Sequence, residues 1–201
     1  MINELEKKSS FNAMSDLEIT KNSIEMLRYR NNRLAYALGL SGVALSLLAA
    51  FVCMNSMNPE NFQVIFKIIL NVFILLFGFL CCEKAKTYQV RGSFYLIGLG
   101  VINFLRIFWI PLQLIINGNA YKEALASGDI EAQEAAKQFI GKTITDTQNQ
   151  VNWLPADGSV RGLIAIILLV LAGILMIVGG VMGFLKAKKL SAYLDSLKET
   201  K

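Results

Sequence analysis

Seven polar residues stand where a chain this apolar can least tolerate them. Arg106 lies inside an apolar run from Phe94 to Ile116, about 10 to 12 residues from either end, so roughly 15 to 18 Å of helix separates it from each end. Asn103, Arg106, Gln113 and Asn117 fall in one narrow sector of a helical wheel, giving this segment a polar stripe that must face protein or water. Gln63, Lys67 and Asn71 step along one face of the preceding apolar run at intervals of four. A guanidinium and an ammonium in such surroundings bind carbonyl, carboxylate or other anionic oxygens, and a charge at that depth is costly enough to suggest a role. No acid lies within these runs. Counter-charge has to come from Glu60, from acidic loop residues, from lipid phosphate, from an anionic ligand or from a second protein.

Other chemistry is restricted from the outset. The chain has no His, which removes histidine general bases, Ser/His/Asp triads, Cys/His dyads and His-ligated metals. No carboxylate pair lies in the apolar runs and no Gly-rich phosphate loop occurs, so the expectation is a non-enzymatic protein without metal or cofactor. The formal charge of +5 does not predict nucleic-acid binding. Its basic residues cluster at the edges of apolar runs, at Arg28, Arg30 and Arg33 and at Lys186, Lys188 and Lys189, where an anionic leaflet would meet them.

The elements that must carry these residues follow from length and hydropathy. With 54% hydrophobic and 17% charged residues, the chain is far more apolar than a soluble domain, and disorder and a disulfide scaffold are both excluded. Four segments have the roughly 20 apolar residues that a spanning helix requires: 34–54, 62–82, 94–116 and 163–185. The first is preceded by more than thirty residues with a polar lead and is too long for the apolar core of a cleaved signal. The predicted fold class is all-α, an integral membrane four-helix bundle. Lys and Arg fall mainly in residues 1–33, in the loop from Glu83 to Ser93 and in the tail 186–201, which places both termini in the cytoplasm. Only Lys122, Lys137, Lys142 and Arg161 fall on the other side.

Short helices are expected outside the spans. Ser15, Asp16 and Glu18 open a capping box for an amphipathic cytoplasmic helix that carries Leu17, Ile24 and Leu27. In the outer loop 117–162, Asp129 is placed to cap a helix with Ala132, Ala136, Phe139, Ile140, Thr143 and Ile144 on one face, and a second short helix is expected over Ala120 to Ala126. Trp153, Leu154 and Pro155 bring the chain back to the interface, and Ala156 to Ser159 form the turn into the last span. Pro111 should free backbone hydrogen bonding near Ile107, whose carbonyl is then available to Arg106.

Small residues mark packing seams. Gly39, Gly42, Ser46, Ala49 and Ala50 line the first span, and Gly179, Gly183 and Ala187 line the fourth, either for contact between those two helices or for self-association. Cys81 and Cys82 are read as small helix-end residues. The functional expectation is an accessory or assembly subunit of a larger plasma-membrane complex, such as a transporter. Its partners would be the lipid bilayer and a membrane protein or a second copy, with Arg106, Asn103, Gln113, Lys67 and Asn71 as contact residues. The alternative is a small homo-oligomeric channel or carrier for an anionic solute using Arg106 and Lys67. The absence of a glycosylation sequon in the outer segments and the Lys- and Asn-rich composition point to a bacterial membrane.

Overall fold

The computed structural model describes residues 22, 32–54, 56–58, 60–141 and 157–199. The cytoplasmic helix expected from Asp16, Thr143, Ile144, and the Trp153-Leu154-Pro155 approach lie outside the described residues. The rest is helical: α1 (Arg33–Met54), α2 (Phe62–Lys86), α3 (Val90–Trp109), α4 (Pro111–Ser127), α5 (Ile130–Lys137) and α6 (Gly158–Glu199). Four helical segments are long and apolar enough to cross a membrane, the third being α3 and α4 taken together. The chain is thus built as a multi-pass membrane protein. Its large exposed apolar side chains, such as Phe62, Phe66, Phe73 and Leu76 on α2 and Leu105 and Phe108 on α3, lie where lipid would cover them.

α1, α2, α3 and α6 form a ring in that order. The tight side is α6, which packs along α1 and α3 through small residues. Gly158, Gly162, Ala165, Leu169, Ala172, Met176, Gly179 and Gly183 are all buried and alternate at intervals of four and three, the repeat that keeps one seam facing its neighbours. A Cβ added to Gly42 would sit 2.9 Å from the Ala172 carbonyl oxygen, and one added to Gly179 would sit 3.1 Å from that of Ala35. One on Gly183 would meet the Ser93 hydroxyl at 2.6 Å, and one on Gly39 would meet Cys82 Sγ at 2.8 Å. Of the two uses open to these glycines, helix packing within one chain is the one they serve here. α2 is held more loosely: a narrow stripe faces the bundle, containing Val64, Lys67, Asn71, Gly78, Cys81, Cys82 and Ala85.

The third span differs from the expected continuous helix over 94–116. It breaks at Ile110, because Pro111 has no N–H to donate and its ring excludes a regular turn before it. Pro111 then opens α4, where a first-turn proline costs no hydrogen bond. α4 runs to Ser127 and ends at Gly128, whose φ of 71° is the left-handed cap that glycine adopts without strain. The separate helix expected over Ala120 to Ala126 is therefore the end of α4. Asp129 caps α5 by accepting from Ala132 N at 3.1 Å, as its spacing suggested, but α5 stops at Lys137 and Phe139 and Ile140 lie in the turn beyond it.

That turn is tied to the loop between α1 and α2. Gly141 N donates to the Ser56 carbonyl at 2.8 Å and Asn58 N to that of Phe139 at 3.0 Å, so Met57 and Ile140 form an isolated antiparallel bridge. A side chain on Gly141 would come within 2.7 Å of the Met57 oxygen. The fourth span lies inside a much longer helix, since α6 begins at Gly158 and continues through most of what reads in sequence as the basic tail.

Candidate functional site: a polar layer inside the bundle

Each polar residue reaches the interior because it lies on the inward stripe of its helix. On α3 that stripe is Gly92, Ser93, Leu96, Leu99, Gly100, Asn103 and Arg106, and on α1 it is Ala35, Gly39, Gly42, Ser46, Ala49 and Cys53. Arg106 therefore crosses the ring toward α1. Its Nη1 donates to Asn103 Oδ1 at 2.7 Å and to the Ser46 hydroxyl, which itself donates to Asn103 Oδ1 at 3.0 Å. Asn103 Nδ2 faces Met176 Sδ of α6 at 3.1 Å. One closed group thus links α1, α3 and α6. Arg106 is 6% exposed, and its Nε is buried without a hydrogen-bond partner among the described residues. Burying a guanidinium costs several kcal/mol unless hydrogen bonds and counter-charge offset it, and here hydrogen bonds supply only part.

A second pair lies nearer the α2 N-terminus. Lys67 Nζ donates to Gln113 Oε1 of α4, and Asn71 Nδ2 donates to the Lys67 carbonyl at 2.9 Å. The helix break at Ile110 separates Gln113 from Arg106, so the expected continuous stripe becomes two clusters: Arg106 with Asn103 and Ser46, and Lys67 with Gln113. Asn117 turns to its own helix, donating to the Gln113 carbonyl at 2.8 Å. A small cleft with room for about one water lies between the clusters, lined by Lys67, Leu70, Asn71, Ile74, Arg106, Trp109 and Ile110. A second of similar size shares Asn71, Arg106 and Ile110 with it and reaches Cys53 and Leu169. Among the described residues neither Arg106 nor Lys67 is in an ion pair, and Glu60 stands exposed without pairing with Lys67.

Two apolar clusters flank the polar layer. Toward the loop tie are Ala49, Val52, Cys53, Met57, Val64, Ile110, Ala165 and Leu169; toward the opposite face are Cys81, Cys82, Ala85, Leu96, Leu99 and Met176.

Three residues of these networks were not legible as polar partners. Ser46 reads as one more small seam residue, and only its depth on the first span, near that of Arg106, marks its hydroxyl as an acceptor. Met176 carries no signal. Arg161 reads as a loop-boundary charge, yet it is fully buried, with Nη1 donating to the Ser56 hydroxyl at 3.0 Å. Beyond the layer, Asp157 receives a hydrogen bond from Ser159 N at 2.9 Å, capping α6, and is paired with Lys122. Burial pushes this carboxyl up, but hydrogen bonds from Lys122 and Ser159, with the lysine charge, outweigh that and hold it below its ordinary value.

No protein-family model, curated protein or solved structure matches the chain. Its class rests on its own architecture, a four-span helical membrane protein.

Proposed function

We propose that the protein is a non-enzymatic accessory or assembly subunit of a larger plasma-membrane complex, such as a transporter. One observation carries this reading: Arg106 is 6% exposed inside the bundle and has no carboxylate partner among the described residues, so its counter-charge is left to another molecule. The glycine seams already serve packing inside the chain, which leaves the Phe-rich face of α2 and the neighbouring face of α3 as the larger free surfaces. In this reading both termini are cytoplasmic, the membrane is a bacterial plasma membrane and the α4–α5 loop faces outward, following the distribution of basic residues. The test is purification of the tagged chain from its native membrane in mild detergent, with mass spectrometry of whatever remains stoichiometric. A reproducible membrane partner is expected, and recovery as a homo-oligomer alone would sink the proposal. Orientation has its own check, since the three native cysteines are buried. A cysteine at Glu131 should react with an impermeant maleimide on intact cells, and one at Ser196 only after permeabilisation.

Lys67 and Arg106 lining one cleft supports a second reading, a homo-oligomeric anion channel or carrier. It requires anion flux in proteoliposomes that Arg106→Leu abolishes.

A further inference from the structure

The cleft between α2 and the α3–α4 break holds two cations and an amide, yet neither cation has a carboxylate among the described residues. Arg106 is more than nine-tenths buried and lines the cleft with a guanidinium whose Nε has no acceptor. The cleft is not sealed. Trp109 in its wall is 38% exposed, and Leu70 and Ile74 are half-buried. Exposed Phe66 and Phe73 follow the same helix as its α2 wall, and exposed Leu105 and Phe108 that of its α3 wall, so apolar surface continues beside the polar opening.

We propose that this cleft receives the carboxylate of an Asp or Glu on a transmembrane helix of the partner, which packs in the groove between α2 and α3. The proposal rests on the accessory-subunit reading and specifies its contact. The carboxylate accepts from Arg106 Nε, and Lys67 Nζ supplies the second charge by leaving Gln113. Depth selects this occupant over an anionic lipid. Asn71 lies nine residues from the start of α2 at Phe62, about 13.5 Å along the axis, so a lipid phosphate would have to descend by about that much to reach the level of Arg106. A side chain from a neighbouring helix arrives at that level directly. Size agrees: the cleft has room for a group about the size of one water, which suits a single side-chain carboxylate and not a headgroup with its glycerol and chains. Pairing also offsets a cost that each helix carries alone, because an unpaired charge is expensive on either one.

The test uses the full chain tagged in its native membrane, with Arg106→Gln, Lys67→Met and Arg106→Lys alongside the original. A photo-crosslinking residue is placed at Leu70 in the cleft wall, with a control at Val181 on the far side of the ring. The expected result is a loss of partner recovery by about tenfold or more for Arg106→Gln. Loss should be smaller for Lys67→Met, which removes only a Gln113 contact and so leaves the fold intact, and Arg106→Lys should restore part of the recovery. Crosslinks from Leu70, but not from Val181, should fall within a turn of an Asp or Glu in a partner helix, and the amide at that position should reproduce the loss. A partner recovered equally with Arg106→Gln and Lys67→Met, or a crosslinked helix without an acid, overturns this contact and leaves the accessory role standing. Recovery of the original chain without any partner removes both. An anionic lipid that co-purifies with the original and is lost from the variants assigns the cleft to lipid and also overturns the proposal.

Discussion

Arg161 Nη1 and the Ser56 hydroxyl lie 3.0 Å apart, joining the first turn of α6 to the loop that leaves α1. The same hydroxyl donates to the Val52 carbonyl at 2.7 Å, so one oxygen serves both the end of α1 and a fully buried guanidinium. Around it, Gly141 N bonds the Ser56 carbonyl, and the α1–α2 loop meets the turn that follows α5. A residue of small volume thus holds together three segments distant in sequence.

Ser56→Ala should therefore destabilise the protein by about 1–3 kcal/mol, the cost of leaving a buried donor short of its acceptor. Thermal unfolding in detergent reads this as a lower midpoint. An unchanged midpoint would show that the hydroxyl is dispensable.

The Asp157 carboxyl is held below its ordinary value, so its contribution to stability is full above the unfolded carboxylate pKa of about 3.9 and is lost as pH falls through the lower folded value. Asp157→Asn keeps a capping oxygen but removes the charge that pairs with Lys122. The gap in midpoint between the original and this variant should be present at pH 7 and close only at acidity below about 3.9. A gap that is constant down to pH 2 would contradict the pairing. Asp157→Ala, which also removes the cap, should cost a further 0.5–2 kcal/mol or so.

Gly98 and Gly100 are two residues apart on α3 and face opposite surroundings. A Cβ at Gly98 would meet nothing within 4 Å, whereas one at Gly100 would sit 2.8 Å from the Gly173 carbonyl and 2.6 Å from Ile177 Cγ1. Gly98→Ala should be neutral or stabilising by up to about 1 kcal/mol, since it lowers the freedom of the unfolded chain. Gly100→Ala should cost about 1–3 kcal/mol by forcing α3 and α6 apart. Equal effects of the two would show that the helices do not meet as closely as described.

Ser46 and Asn103 act on Arg106 as one unit, so their effects should not add. The double variant Ser46→Ala with Asn103→Ala should differ from the sum of the single ones by about 0.5–3 kcal/mol in unfolding free energy. Strict additivity would mean that the three side chains are energetically independent.

The four spans were legible because length and apolar composition alone determine them, and the capping oxygen of Asp129 because an Asx residue before a helix has one main use, whereas Asp157 reads in sequence only as part of a turn. The polar layer was half legible. Arg106, Asn103, Lys67 and Asn71 stand out through the cost of placing them among apolar residues, and all four face the interior. Their partners were less visible, since a hydroxyl such as that of Ser46 looks the same whether it fills space or accepts a proton. Pro111 marks the freed hydrogen bonding near Ile107, but not the division of the span at Ile110, because proline suits a first helical turn as well as it interrupts a helix. The burial of Arg161 and the Met57–Ile140 bridge depend on contacts between segments far apart in sequence, which periodicity does not report.

The unbroken length of α6 has a mechanical consequence. Its 42 residues amount to about 63 Å of rod, roughly twice the thickness of a hydrocarbon core. Close contacts hold it on α4 at Gly162 and on α1 and α3 from Ala172 to Gly183, while Asp157 and Lys122 grip one end and the Lys186, Lys188 and Lys189 cluster lies toward the other. A tilt of about 10° would swing one tip relative to the other by about 11 Å at this rise per residue. A single stiff helix thus joins the segment held by Asp157 to the basic cluster near its far end.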